Sequence, residues 1–444
     1  MKHVDVAVIG AGVLGCFAAR HLQRWQLDTV LIEAADDVCM GISRANSAIV
    51  YAGYDNQPDS LKAKLTVASN AQFAKLCDDL DISFKRCGGL MVSHGPNGQA
   101  VLRKKFQQGQ ASGVPGLALL SGTQARELEP MLAESVTAAL YAPSVGTVNP
   151  WHLTIAAYDN ARENGCQVLL KTRVEAIHRD KERYLLETSG ERIACRAVVN
   201  CAGLSADAVQ EMAFAPSVRL RLDAADYLVL DKRLAAPQHV LFQERESGGK
   251  GITVVPTLEG NLLLESSARR LQGALWAASF SGLQTLQQEA AALLPDLNVQ
   301  RVIRSFAAVR PNPFYVGDAQ KSAHDFVIAR PASGFVSLIG VKTPGLTCAN
   351  NLGETVAAEI ASYLQAPPNP RFNPKRHVAP VKDEEILCLC SQLSKGAVLE
   401  AIRQGATTVD GVKHRVGTGM GPCQGGRCRL QIEKLLEAHA HGKL

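Results

Sequence analysis

Asp5-Val6-Ala7-Val8-Ile9-Gly10-Ala11-Gly12-Val13-Leu14-Gly15 opens the chain and continues through Ala18, Ala19 and Leu22 to Thr29-Val30-Leu31-Ile32-Glu33. A short apolar run, a glycine-rich turn, apolar residues at helical spacing and a second apolar run ending in an acid predict strand, turn, helix and strand. In that order each glycine has a task. Gly10 permits the tight turn, Gly12 lets a pyrophosphate approach the backbone at the helix N-terminus, and Gly15 lets helix and strand pack closely. Glu33 is placed to accept hydrogen bonds from ribose hydroxyls. The stretch predicts an α/β fold and a bound dinucleotide, with FAD and NAD equal at this point.

Working outward, 444 residues exceed the usual single domain, so two or three domains are expected. Hydrophobic residues at 46% and charged residues at 20% exclude a disordered or fibrous chain. The net charge of +5 arises in the tail, where residues 371 to 444 hold 12 Lys and Arg against 7 Asp and Glu. The main body carries no basic stripe or recognition motif, so nucleic acid is not an expected partner. No apolar run reaches the roughly 18 residues that a membrane-spanning helix needs. The run Val6 to Ala19 follows a single lysine and Asp5, unlike a signal peptide. The expected compartment is the cytoplasm, and any peripheral membrane association would run through a partner.

Twelve cysteines in such a chain are not a disulfide framework. Eight (Cys16, Cys39, Cys77, Cys87, Cys166, Cys195, Cys201 and Cys348) are scattered singly, as buried thiols are. The other four are Cys388 and Cys390, then Cys423 and Cys428, a C-x-C and a C-x4-C. Four thiolates at two chain positions suit zinc or a [2Fe-2S] cluster, and spacing does not decide between them. Pro367, Pro368, Pro370, Pro374 and Pro380 precede them, which predicts a stiff linker over about 366–382.

Further along, Gly41-Ile42-Ser43-Arg44-Ala45-Asn46-Ser47 through Tyr51 to Tyr54 resembles the second conserved stretch of the D-amino-acid-oxidase-like flavoproteins. Ser60 to Leu65 is most similar to the branch with L-2-hydroxyglutarate oxidases and short glycerol-3-phosphate dehydrogenases, several of which have His where this chain has Tyr51. Val174, the stretch Val198 to Gly203, and Gly340 to Thr347 resemble the family's adenine-contacting strand, third FAD stretch and final flavin-wrapping stretch. The resemblance covers nearly all of residues 1 to 365. It implies FAD as the cofactor, held by Gly10, Gly12, Gly15, Glu33, Ser43, Asn46, Val174, Ala202, Gly203, Gly345, Leu346 and Thr347. The tract Gly417 to Gly425 resembles the bacterioferritin-associated-ferredoxin-like domain, which implies a [2Fe-2S] cluster on Cys388, Cys390, Cys423 and Cys428.

The implied architecture is α/β. A Rossmann-type FAD-binding part (about 1–85, 145–222 and 305–365) is joined to an antiparallel β-sheet substrate part (about 86–144 and 223–304), with a small helical iron-sulfur domain over 383–444. β-Rich runs at Asp226 to Leu230, His239 to Gln243, Gly251 to Val255 and Asn261 to Glu265 predict that sheet as a meander.

A flavin beside an iron-sulfur centre suits a dehydrogenase that takes two electrons and passes them on singly, to an electron-accepting protein. The resemblance implies a small anionic hydroxy compound as substrate, glycerol 3-phosphate or a 2-hydroxy acid. An amino-acid or opine dehydrogenase subunit shares the pattern, as would a non-catalytic electron-transfer subunit. Arg310 matches an anion-binding arginine of the family, and its guanidinium fork fits carboxylate or phosphate. Lys342 matches a lysine near the flavin, and Tyr51 lies on the flavin-flanking stretch. An alcohol needs a base. His152, His239 and His324 are candidates because their pKa range is right.

Overall fold

The structure, a computed structural model, describes the chain except residues 181–182, 246, 248–249, 267, 272–275, 318–321, 379–382 and 443–444. Lys2–Ile9 lies between Thr29–Ile32 and Ile193–Asn200, parallel to both. Gln167–Leu169 and Phe335–Ile339 extend the parallel set on either side. Val174–Asp180, Arg183–Thr188 and Val327–Ala332 add antiparallel strands, which makes eight among the described residues. Parallel strands need both faces covered, and Val6, Ala7 and Val8 are fully buried. Helices Val13–Leu22, Pro150–Glu163 and Gly345–Leu364 cover one face through Phe17, Leu22, Leu153, Val356 and Ile360. The other face buries Val30, Val198, Ile177, Leu186 and Val209.

A second sheet of nine strands contains the expected runs as Val218–Leu230, Val240–Glu244, Lys250–Pro256 and Leu262–Glu265; the last three form a meander, whereas Val218–Leu230 pairs with Leu262–Glu265 rather than with the next strand in sequence. The Gly248-Gly249 turn signal lies outside the described residues; the one at Glu259-Gly260 is a turn closed by Gly260 N–H to Thr257 O at 3.1 Å. Two corrections follow. The sheet is mixed, because Val240–Glu244 runs parallel to Gly89–Ser93. These strands lie far apart in sequence, so no hairpin dictates antiparallel pairing. In addition, the expected boundaries at 222 and 305 fall inside Val218–Leu230 and Val302–Tyr315. Those two long strands pair along their whole lengths and run from one half of the molecule into the other.

The proline-rich segment is pinned rather than free over 366–378. Gln26 N–H donates to Pro367 O (2.9 Å), Arg20 to Pro374 O (3.0 Å), and Arg376 pairs with Asp159 (2.7 Å). Its last part, with Pro380, lies outside the described residues. Beyond it a short hairpin, Ile386–Cys388 with Leu393–Ser394, and helices Lys395–Arg403, Val409–Val416 and Arg429–Ala440 enclose their own core of Val398, Ile402, Val412 and Ile432. Among the described residues no helix is long and apolar enough to cross a membrane.

Candidate active site

A cleft of about 1650 Å³, open mouth included, begins where the parallel strands end and runs to the second sheet. Open α/β sheets bind ligands at such strand ends. Gly10, Gly12, Glu33, Ser43, Asn46, Tyr51, Val174, Ala202, Gly203, Arg310, Lys342, Gly345 and Leu346 line it. Helices Val13–Leu22 and Gly345–Leu364 both start at this cleft, and neither N-cap residue supplies a capping side chain. Val13 N–H is taken by Ser43 Oγ (2.9 Å) and Gly345 N–H by Lys342 O (2.6 Å), and the positive dipole ends of the two helices favour an anionic or carbonyl-bearing ligand.

The glycines divide by task. A Cβ on Gly15 would lie 1.8 Å from Gly10 O, so Gly15 serves close packing and does not line the cleft. A Cβ on Gly12 would meet only Ser43 Oγ, at 3.1 Å. The fold alone therefore does not demand a bare backbone there, whereas a pyrophosphate lying against it does. The cradle fits a dinucleotide. Glu33 accepts N–H bonds from Ala11 (2.7 Å) and Ala35 (2.8 Å), which shapes the glycine turn around it. Asn46 braces its own turn, donating to Ser43 O and accepting from Ala48 N–H, both at 2.8 Å. Thr347 is buried below the cleft, where its Oγ1 accepts Tyr51 N–H at 3.0 Å and so positions that residue.

At the inner end Arg310 pairs with buried Glu265, whose strand ends there, and Lys342 donates to Asn312 Oδ1. Burial and then neighbouring Arg310 hold Lys342 below the usual lysine range; Asp223 opposes this, while Arg221 and Lys250 add to it. A side cavity shares Tyr51, Arg310 and Lys342 and is further lined by Lys250, Asp55 and Asp223. Burial, then Glu265, raises the Tyr51 phenol above its usual range. Tyr227 is raised for the same two reasons and stacks on Phe306 (4.7 Å, 7°).

None of the three histidines lines the cleft, which corrects their candidacy. His324 is exposed because Asp325 turns inward to cap helix Leu61–Leu80, accepting Leu61 and Lys62 N–H at 2.7 and 2.8 Å. His239 is held by Glu129 (3.2 Å), and His152 sits on the helix after Asn149. Sequence reasoning missed Glu265, Tyr227, Lys250 and Asn312. The signal for Glu265 was present: an apolar run, Leu262-Leu263-Leu264, closing on an acid, the pattern that singled out Glu33.

In the tail the four cysteines meet as two pairs. The thiols of Cys390 and Cys423 share a hydrogen bond, as do those of Cys388 and Cys428, and Cys423 also lies near enough to Cys428 to act on it. Two pairs match a two-iron centre, in which each iron takes two thiolates. The Cys390 bond, against slight burial, and then the N–H groups of Arg427, Gly425 and Gly426 hold the Cys423 thiol below its usual range. Burial and then Cys388 push Cys428 up to about 11. A Cβ on Gly421 would lie 2.5 Å from that of Cys390, so only glycine lets the two loops meet.

The tail rests directly on the cleft wall. Helix Val409–Val416 places Arg415 in a two-point ion pair with Asp37, one bond at 2.9 Å, both side chains only 3% exposed. His414 stacks on Trp151 (5.0 Å, 18°), and burial, then Lys413, depresses its pKa to about 4, so the ring packs neutral at pH 7. Asp37 and the cleft-lining Ile42 and Ser43 belong to one segment, so the cluster domain touches the backbone that flanks the cofactor site. Asp37→Ala would leave Arg415 buried without its partner, at a cost of about 3–5 kcal/mol. The expected result is a tail released by limited proteolysis near residue 380 while the FAD-binding part stays intact; unchanged resistance would show that the pair does not hold the domains together.

The family model for FAD dependent oxidoreductases matches residues 5–359, and that for the BFD-like [2Fe-2S] binding domain matches residues 386–438. The chain is similar to a glycerol 3-phosphate dehydrogenase of Caloramator mitchellensis, 36% identical over 97% of this chain and 93% of that protein. It is also similar to the mitochondrial L-2-hydroxyglutarate dehydrogenase of Homo sapiens, 30% identical over 51% of this chain and 52% of the other. In fold it is similar to the dithionite-reduced L-alpha-glycerophosphate oxidase of Mycoplasma pneumoniae with FAD bound, with a TM-score of 0.78 at 24% identity over 86% of this chain and 100% of that one.

Proposed function

The chain belongs to the FAD dependent oxidoreductase family and carries a BFD-like [2Fe-2S] binding domain, and from this we propose that it dehydrogenates a small anionic hydroxy compound, glycerol 3-phosphate first among them. The similarity to the Caloramator glycerol 3-phosphate dehydrogenase, which spans both domains, supports that choice. FAD in the cleft supplies a two-electron acceptor, and the [2Fe-2S] cluster a one-electron carrier. We assign the oxidation to residues 1–365 and the onward transfer to residues 383–444.

The observation that carries the reading is the crowd of cations at the inner end. Burial and then Arg310 lower the Lys342 pKa, with Arg221 and Lys250 adding and Asp223 opposing; Arg310 and Lys250 already pair with Glu265 and Asp55, so Lys342 is the cation that a substrate phosphate would stabilise most. Arg310 and Lys342 line both cavities, so an anionic group held there leaves the rest of a three-carbon substrate facing the cleft. Cys390 and Cys423 lie nearer the surface than Cys388 and Cys428, among Lys232, Arg427 and the exposed Leu389 and Leu430. This face suits an acidic electron-accepting protein. Twelve free cysteines fit a reducing compartment, and we place the chain in the cytoplasm.

The test is anaerobic bleaching of the bound flavin by glycerol 3-phosphate, 2-hydroxy acids and amino acids offered separately. Bleaching by glycerol 3-phosphate is expected; bleaching by amino acids alone would overturn the reading. With the true substrate, Arg310→Lys keeps the charge and loses the fork, and Arg310→Ala loses both, so kcat/KM should fall in that order, the alanine variant by about 2–5 kcal/mol. Unchanged kinetics in Arg310→Ala would remove the anchor.

A further inference from the structure

Resting on that reading, we propose that Glu265 is the catalytic residue that takes the proton of the substrate hydroxyl. It ends the strand Leu262–Glu265, is buried at the floor of the cleft, and touches Arg310 and Tyr227. Glu265 is itself paired with Arg310, but that partner is the proposed anion anchor; the alternatives in the two cavities are held by other groups. Glu33 holds the glycine turn through two N–H bonds. Asp55 is clamped between Lys105 and Lys250, and Asp223 accepts from Asn312 at 2.8 Å. The Tyr51 and Tyr227 phenols, raised by burial, keep their protons at neutral pH. The charged and titratable groups facing Glu265 are Arg310, Tyr227 and Tyr51, each on a different element.

Arg310 links recognition to chemistry. It lines both cavities and already bonds Glu265, so an anion seated on Arg310 and Lys342 brings the neighbouring hydroxyl within reach of that carboxylate. The O–H proton moves to a Glu265 oxygen, and the O–H bonding pair becomes the second bond of C=O. FAD, when bound, would supply the acceptor for the C–H hydrogen, which leaves as hydride with both bonding electrons. Glu265 then returns its proton to solvent through the cleft mouth.

The test compares holoenzyme with Glu265→Gln and Glu265→Asp. Inorganic phosphate, read by the shift of the flavin spectrum, measures anion binding without turnover. Rapid-mixing bleaching by whichever hydroxy compound bleaches the wild type measures the chemical step across pH. Glu265→Gln should bind phosphate undiminished and bleach at least about 100-fold more slowly, without the rise in rate on the acid side of the profile. Glu265→Asp should recover part of the rate. Wild-type bleaching by Glu265→Gln would overturn the assignment. So would a rate loss matched by lost phosphate affinity, which marks a holding role, or an acid-side rise that survives in Glu265→Gln and vanishes in Lys342→Met. Should no hydroxy compound bleach the wild type, the proposed function falls, and this assignment with it.

Discussion

Replacing Gly12 by valine is expected to give a folded and colourless protein. Within 4 Å a Cβ at this position meets only the Ser43 hydroxyl, at 3.1 Å; that hydroxyl accepts Val13 N–H at 2.9 Å and has to give by only a few tenths of an ångström, so the fold tolerates the side chain. The branched methyls would stand in the cleft in front of the first turn of helix Val13–Leu22, whose positive end favours an anion. FAD affinity should fall at least about a thousandfold, roughly 4 kcal/mol. Flavin absorbance per chain, with circular dichroism as the check on folding, measures this. Gly15→Val is the contrasting control, because its Cβ would lie inside the Gly10 carbonyl and the glycine turn could not form. A folded Gly12→Val protein with a full complement of FAD would show that the pyrophosphate does not lie on this loop.

The second large effect separates the two redox centres. Cys423→Ser replaces a thiolate stabilised by Cys390 and three backbone N–H groups with a harder oxygen that binds iron poorly. Iron and acid-labile sulfide should fall from about two per chain toward zero in protein prepared without air. The cluster domain has its own core, separate from the one around the FAD cleft, so FAD should stay bound. Substrate should still bleach the flavin in one anaerobic turnover, while steady-state reduction of a one-electron acceptor falls at least about 100-fold, of the order of 3 kcal/mol on the barrier. A serine variant that reduces its acceptor at the normal rate, in a protein that carries zinc, would make the tail a structural or docking module.

Much of this was legible in the order of residues, and for a local reason. The glycine turn from Gly10 to Gly15 and the acid at Glu33 act within one strand-helix-strand unit, so spacing alone states their geometry. The four cysteines act at two short loops, and their spacing reports a ligand set even before the metal is decided. The meander over 240–265 was visible because strand runs and turns alternate locally, whereas the pairing of Val218–Leu230 with Leu262–Glu265 was not. What failed needed information from elsewhere in the fold. His324 was a candidate by its place in the chain, yet Asp325 caps a helix that begins at Leu61, and that bond turns the histidine outward.

The α/β class and the glycine turn could be read from the chain by itself, because strand, turn and helix are set by neighbours in sequence; spacing left FAD and NAD, and zinc and [2Fe-2S], equal, and the family resemblance separated them. Only the tertiary structure decided the rest. Arg310, Lys342, Glu265, Tyr227 and Tyr51 come from separate strands and loops and share one site only after the two sheets meet along Val218–Leu230 and Val302–Tyr315. Asp37 and Arg415 become partners only once the proline segment is laid along the helices, which brings the cluster domain against the cleft wall. Contacts between residues so far apart leave no periodic trace in the sequence: they depend on how rigid elements pack, and packing is decided by the whole core at once.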